Sequence, residues 1–464
     1  MSIHKEVIDG IYGMIHARHA LLSCGWAQDV LVAIDGGIIT KITCNAPCPQ
    51  VATRVDTLLP ALGNLHSHAF QRAMAGMTEH RKQGRDSFWT WRDLMYRFMD
   101  RLTPDQIEAI AAMVYVEMQE AGYASVGEFH YVHHQTGGRA YDDPAELSLR
   151  IYAAASRTGI GLTHLPVLYS YGGAGRMPLS PGQLRFGNDV DGFLTLLDAA
   201  RAGLGALSAD ARIGIAPHSL RATSPQDLNA VLDHADGPIH IHIAEQPMEV
   251  EDIAAWLGQR PVDWLLHHVN VDRRWCLIHA THMTESETRA MAATGAVAGL
   301  CPVTEANLGD GPFNGVTYLA ANGAFGVGSD SNVNISLTEE LRMLEYSQRL
   351  RDLARNVLVV GEGSVGHRLY TGAARGGAQA LGRNAGEIAE HRLADLVAID
   401  STDPALCALS RDQLLDGFVF AANDRVVTDL WSAGRHRVKD GRHVERRAVV
   451  AAYRAAIGDL MASL

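Results

Sequence analysis

Short apolar runs bounded by turn-forming residues recur through the middle of the chain, and stretches with helical spacing separate them. The runs at 58–68, Ser125–Tyr131, Gly161–Tyr169, Arg212–His218, Pro238–Ala244, Trp275–Thr281, Ala296–Cys301 and Ala324–Asp330 read as strands. They are apolar on both faces, the mark of parallel strands covered on both sides. Between them, Pro104 through Glu120 predicts a helix with Thr103 as N-cap and proline at the first helical position. A second helix opens at the Thr284-x-x-Glu287 capping box. Strands alternating with helices over 58–377 predict an α/β fold, a distorted (β/α)8 TIM barrel. The aromatic stretch 78–103, with Phe88, Trp89, Trp91 and Tyr96, is an insertion after the first strand. A lid, a subunit contact and core packing all suit it.

The two ends have a different texture. Val30–Ile42 reads as strand, Asp35-Gly36-Gly37 turn, strand. Leu393–Asp400, Val426–Trp431 and Arg437–Val444 (with its Asp440-Gly441 turn) are strand-like as well. Residues 1–57 and 378–464 are therefore expected to form one small composite β-sandwich domain.

Polar residues interrupt the apolar pattern where strands end. His66-Ser67-His68 closes the first run, and residues two apart on a strand share a face, so both imidazoles can converge on one ion. Alone this is weak, because the chain has 22 histidines. The fifth run ends in His242-Ile-Ala-Glu245, the sixth in His279 and the eighth in Asp330. Ligands at the C-terminal ends of several parallel strands match the usual layout of a barrel active site. His242, nearer the strand end and three residues before Glu245, is the better ligand; His240 is the better barrel-interior histidine. His66, His68, His242 and Asp330 are then the candidates to hold one Zn²⁺ or other divalent metal per subunit with a position left for water, although Ser329-Asp330-Ser331-Asn332 also suits a helix N-terminus capped by Asp330.

Composition narrows the setting. The net charge of −12 argues against a nucleic-acid surface or an anionic membrane as partner, while leaving room for a small anionic substrate. Six scattered cysteines show no structural zinc spacing, and a chain of 464 residues needs no disulfide staples. Met1–Glu6 lacks the pattern of a signal peptide, so a soluble cytoplasmic protein is expected.

His-x-His after strand 1, His-x-x-Glu after strand 5, His after strand 6 and Asp after strand 8 resemble the amidohydrolase superfamily, in its single-metal aminohydrolase branch. The resemblance covers essentially the whole chain. The segments 66–72, 128–134, 216–221, 242–246 and 304–311 are similar to those of its members that deiminate N-formimino-L-glutamate. Strand 4 ends in His218, and no lysine stands where a bridging carbamate would need one, which favours one metal over two. The resemblance implies hydrolytic release of ammonia from a formimino dicarboxylate in histidine degradation. It gives catalytic roles to Glu245 (proton transfer to the leaving nitrogen), His279 (orienting the nucleophile) and Asp330 (accepting the water proton). Arg221 is the carboxylate clamp, since a guanidinium pairs bidentately with carboxylates. Gln71, Tyr131 and His218 complete the pocket, with His130, His133 and His134 competing for the place of Tyr131. Arg92 is carried over for its own or a neighbouring subunit's site. A homodimer is the family expectation. The rival is an aminohydrolase acting on a nucleobase, triazine or thioadenosine-type ring.

Overall fold

The computed structural model describes residues 13–80 and 88–463, so Met1–Glu6 and part of the aromatic insertion lie outside the described residues. Its centre is a set of parallel strands: β1 Leu62–Ser67, β2 Tyr123–His130, β3 Gly161–Leu168, β4 in two pieces at Arg212–Ile213 and Ala216–Pro217, β5 Ile239–Ile243, β6 Trp275–His279, β7 Val297–Leu300 and β8 Ala324–Val327. β1 to β4 pair in sequence order, and so do β5 to β8. Bridges close both seams: Ile215 meets Ile239, Ser219 meets His242, and Ser67 meets Asp330. At the last of these, Asp330 donates its N–H to the His66 carbonyl and His68 donates to the Asp330 carbonyl, each at 2.9 Å. The strand order is therefore cyclic, and the C-terminal ends all face one side. β4 breaks at Gly214, where a Cβ would lie 2.2 Å from the Pro238 carbonyl oxygen.

The apolar run at 58–68 does not form one strand. It divides at Ala61: Thr53–Pro60 joins a separate sheet, and β1 starts at Leu62. That sheet has eight strands drawn from both ends of the chain, with Thr53–Pro60 between Gly13–Leu22 and Leu396–Ile399. The predicted hairpin is present. Asp35 pairs with Ile38, and Gly36 and Gly37 take φ of 56° and 81°, the left-handed pair that a two-residue turn requires. Ile15, Val30, Val32, Leu58, Leu396 and Trp431 form this sheet's own core.

Helix Pro104–Ala121 carries the full capping box, with Thr103 and Gln106 exchanging hydrogen bonds, and Glu285–Thr294 carries the box of Thr284 and Glu287. Inside the ring, Leu65, Cys276, Ile278 and Val297 pack against Ala380 and Leu381 from the end of helix Val365–Ala380. His240 donates through Nε2 to the Ala380 carbonyl at 2.8 Å, in the ring's interior.

At the N-terminal ends of the strands, Arg383 is buried and paired with Asp395 and Asp210, while Arg435 makes two further bonds to Asp210 at 2.7 and 2.9 Å. Asp395 also accepts the Ala433 N–H at 2.7 Å. This network ties the ring to the terminal sheet. Among the described residues no disulfide forms, and no helix is long and apolar enough to cross a membrane.

Candidate active site

The opposite rim of the ring gathers the polar strand ends. Ala244, His279, Ala280 and Asp330 all take positive φ there, between 47° and 66°. Side-chain-bearing residues pay on the order of 1–2 kcal/mol for that conformation, and such strain concentrates at functional sites. The seam beneath is laced by side chains. Asn64 donates to Ser329 Oγ at 2.7 Å, and Ser329 donates to Asn332 Oδ1 at 2.6 Å. Asn332 in turn donates to Ser67 Oγ at 3.2 Å. β1 and β8 are thereby fixed relative to each other, which sets the spacing of His66, His68 and Asp330.

Three imidazoles point at one another. His66 Nε2 lies 3.2 Å from His68 Nε2 and 3.1 Å from His242 Nε2. The Nδ1 of His68 faces the Phe129 carbonyl at 3.0 Å, and that of His242 faces the His218 carbonyl at 3.2 Å. A carbonyl only accepts, so both rings carry their proton on Nδ1 and turn the Nε2 lone pair inward. Burial, with mutual repulsion adding to it for His66 and His242, lowers the pKa of all three below the ordinary histidine value. Buried neutral imidazoles with converging lone pairs lack a hydrogen-bond explanation. They fit a cation: a tetrahedral zinc with nitrogens at about 2.0–2.1 Å separates its donors by about 3.3 Å. Asp330 stands beside them, with Oδ1 3.3 Å from His68 Nε2 and 3.7 Å from His66 Nε2. The donor set thus fits a zinc-type ion.

His279 connects the cluster to three carboxylates. Its Nδ1 is 3.2 Å from Glu305 Oε1, and its Nε2 is 3.7 Å from both Glu245 Oε1 and Asp330 Oδ2. Burial works against a charged ring, but Glu245, Glu305 and Asp330 outweigh it and push the pKa to about 10. Glu305 also accepts the Cys301 N–H at 2.9 Å.

A cavity of about 560 Å³ opens over this cluster. His68, His242, Glu245, His279 and Asp330 form its floor, while His66 lies fully buried just below. Gln71, Tyr131, His218 and Arg221 form one wall. Gln71 donates to the Tyr131 hydroxyl at 2.8 Å. Arg92 lines the cavity of its own chain, with Trp91, Met95 and Tyr96 of the same helix, Phe88–Met99. The described part of the insertion is thus a roof over the cavity, and Met95, Phe98 and Met99 also enter the core. Of the histidines that compete with Tyr131, His133 bonds the Val167 carbonyl at 2.9 Å and His134 the Gly187 carbonyl at 2.9 Å. His130 packs against His164 with ring centroids 5.5 Å apart. None of these three lines the cavity.

The sequence did not single out Glu249, Glu305 or Tyr169, while Tyr96, which it placed in the aromatic insertion, lines the cavity together with Tyr169. Glu305 sits in a segment that already carried the resemblance, and Glu249 follows Glu245 by one helical turn. Neither spacing alone distinguishes a working carboxylate from a solvated one.

The amidohydrolase family model matches residues 57–437, and a model of the N-terminal domain of formimidoylglutamate deiminase HutF matches residues 13–49. The chain belongs to the amidohydrolase family. It is 51% identical over 451 residues to a formimidoylglutamate deiminase of Pseudomonas aeruginosa, covering 96% of this chain and 99% of that protein. The crystal structure of an amidohydrolase from Brucella melitensis superimposes with a TM-score of 0.92 at 47% identity, covering 97% of this chain and all of that one (100%). A zinc-bound adenosine deaminase from Xanthomonas campestris shares the fold at 20% identity, with a TM-score of 0.81 over 97% of this chain and 98% of its own.

Proposed function

We propose that this chain hydrolyses N-formimino-L-glutamate to N-formyl-L-glutamate and ammonia, a step of histidine degradation. His66, His68, His242 and Asp330 would hold one zinc or other divalent cation per subunit. The observation that carries the reading is the shared cavity. Arg221, suited to a carboxylate, lies 3.9 Å from Glu245, suited to proton transfer, above three inward-facing imidazoles.

A bound zinc would act as Lewis acid and lower the pKa of water toward neutrality. The remaining steps belong to the protein. Asp330 accepts the proton of the attacking water at its carboxylate, on the side facing His279. His279, fixed through Nδ1 by Glu305, holds its Nε2 toward the reacting centre and orients the nucleophile. Glu245 delivers a proton to the imino nitrogen, so the departing group is ammonia rather than amide ion. Arg221 binds one substrate carboxylate and Arg92 the other. Gln71 and Tyr131, bonded to each other, shape the wall between them. His218 stays neutral, because burial and the neighbouring Arg221 lower its pKa, so it acts as a hydrogen-bonding group. We read the ring as the distorted (β/α)8 barrel expected over 58–377, now beginning at Leu62 because Thr53–Pro60 pairs within the composite β domain of 1–57 plus 378–464. The protein is read as a cytoplasmic homodimer with a small dicarboxylate as its ligand.

Ammonia release from N-formimino-L-glutamate by zinc-loaded protein tests the reaction, with adenosine, guanine, cytosine and S-adenosylhomocysteine in parallel. Turnover of the formimino compound alone is expected. Turnover only of a ring substrate would overturn the substrate and retain the metal site.

A further inference from the structure

Glu249 is buried and does not itself line the cavity, whose wall and floor include its neighbours Arg221 and Glu245. It sits in the first turn of helix Pro247–Leu257, one turn after Glu245. Its Oε1 accepts the N–H of Ala244 at 3.2 Å and its Oε2 the N–H of Glu245 at 3.1 Å. These two amides lie where β5 has stopped pairing, so no strand partner takes them. Ala244 is one of the left-handed residues, with φ of 52°. One carboxylate thus clamps the strained peptide that aims Glu245 into the cavity. The same Oε2 lies 3.8 Å from Arg221 Nε, a buried nitrogen with no hydrogen-bond partner. Arg221 is 7% exposed, and its two nearest carboxylates, from Glu249 and Glu245, both stand beyond hydrogen-bond distance. A buried guanidinium held this loosely retains bonding capacity for a further carboxylate, provided one fixed negative charge keeps it in place.

Resting on the deiminase reading above, we propose that Glu249 is a positioning residue joining proton delivery to substrate selection. Its charge holds Arg221 in the orientation that receives a substrate carboxylate, while its two backbone bonds set the direction of Glu245. The carboxylate recognised through Arg221 and the nitrogen protonated by Glu245 are then kept at a fixed separation. This makes the enzyme selective for formimino compounds bearing a carboxylate at that distance.

The test is a double-mutant cycle on the zinc-loaded full chain with Glu249→Gln and Arg221→Met, reading kcat and KM separately. Glu249→Gln is expected to raise KM for N-formimino-L-glutamate tenfold or more and to lower kcat as well. In the Arg221→Met background its KM effect should vanish while its kcat effect persists. Glu249→Asp, which keeps the charge, should recover most of the KM. Additive KM effects in the cycle, or a fall in kcat that tracks a lowered Tm while KM stays unchanged, would overturn the proposal as mere packing. If the unaltered chain turns over no N-formimino-L-glutamate, the deiminase reading fails on its own. Calorimetric binding of N-formyl-L-glutamate then decides this proposal. Weakening by Glu249→Gln only when Arg221 is present supports it; no weakening, or no binding to the unaltered chain, overturns it.

Discussion

The two ends of the ring both bury charge and treat it in opposite ways. At the N-terminal end, Arg383 donates to Asp395 and Asp210 through bonds of 2.9 to 3.1 Å, and Asp210 receives Arg435 as well. At the C-terminal end, Arg221 meets its carboxylates only at 3.8 and 3.9 Å, His279 Nε2 has no hydrogen-bond partner, and three imidazole lone pairs face one another. A buried charge whose bonds are complete holds elements together. A buried charge whose bonds are incomplete is destabilising by itself and becomes useful when a ligand completes it.

That contrast can be broken by experiment. The largest effect is expected at the C-terminal end. Glu245→Gln should cut kcat by about a thousandfold with little change in Tm, and chelation should abolish activity until zinc is restored, both followed by ammonia release. Next, Arg383→Met should cost about 3–5 kcal/mol of stability, because it strands Asp210 and Asp395 in a buried site. Calorimetry should show the lower Tm while the folded fraction keeps its KM. Arg221→Met should do the converse, raising KM for the dicarboxylate by about 10–100-fold with Tm nearly unchanged. If both arginine variants shift Tm alike, the distinction between the two ends fails.

The smallest effect concerns pH. Burial would raise the Asp210 carboxyl, but Arg435 and Arg383 outweigh it and bring it down from 3.8 to about 2. A depressed folded-state pKa gives stability that is present above the unfolded value and lost as pH falls through the folded one. Roughly 2 kcal/mol should therefore disappear between about pH 4 and pH 2. In Asp210→Asn the acid limb measured by chemical denaturation should be correspondingly flatter.

Much of the fold was legible because period and punctuation are local. Thr103 with Gln106 and Thr284 with Glu287 cap their helices as their spacing predicts, and Asp35-Gly36-Gly37 turns where glycine permits a left-handed pair. The division of the run at 58–68 was not legible. Its residues are apolar throughout, and only pairing with Gly13–Leu22 and Leu396–Ile399 assigns Thr53–Pro60 to another sheet. His66, His68, His242, Glu245, His279 and Asp330 were legible because each ends an apolar run.

The sequence by itself determined which residue types stand at strand ends, since alternation and turn signals act within a few residues of chain. Tertiary structure decided what those residues meet. Arg383 and Arg221 are both arginines flanked by ordinary sequence. One closes a saturated ion network and the other faces a cavity, because hydrogen bonding and desolvation depend on distances between segments far apart in the chain. Glu249 and Glu305 acquire their places in the same way, from the ring's closure and from no pattern in their own neighbourhoods.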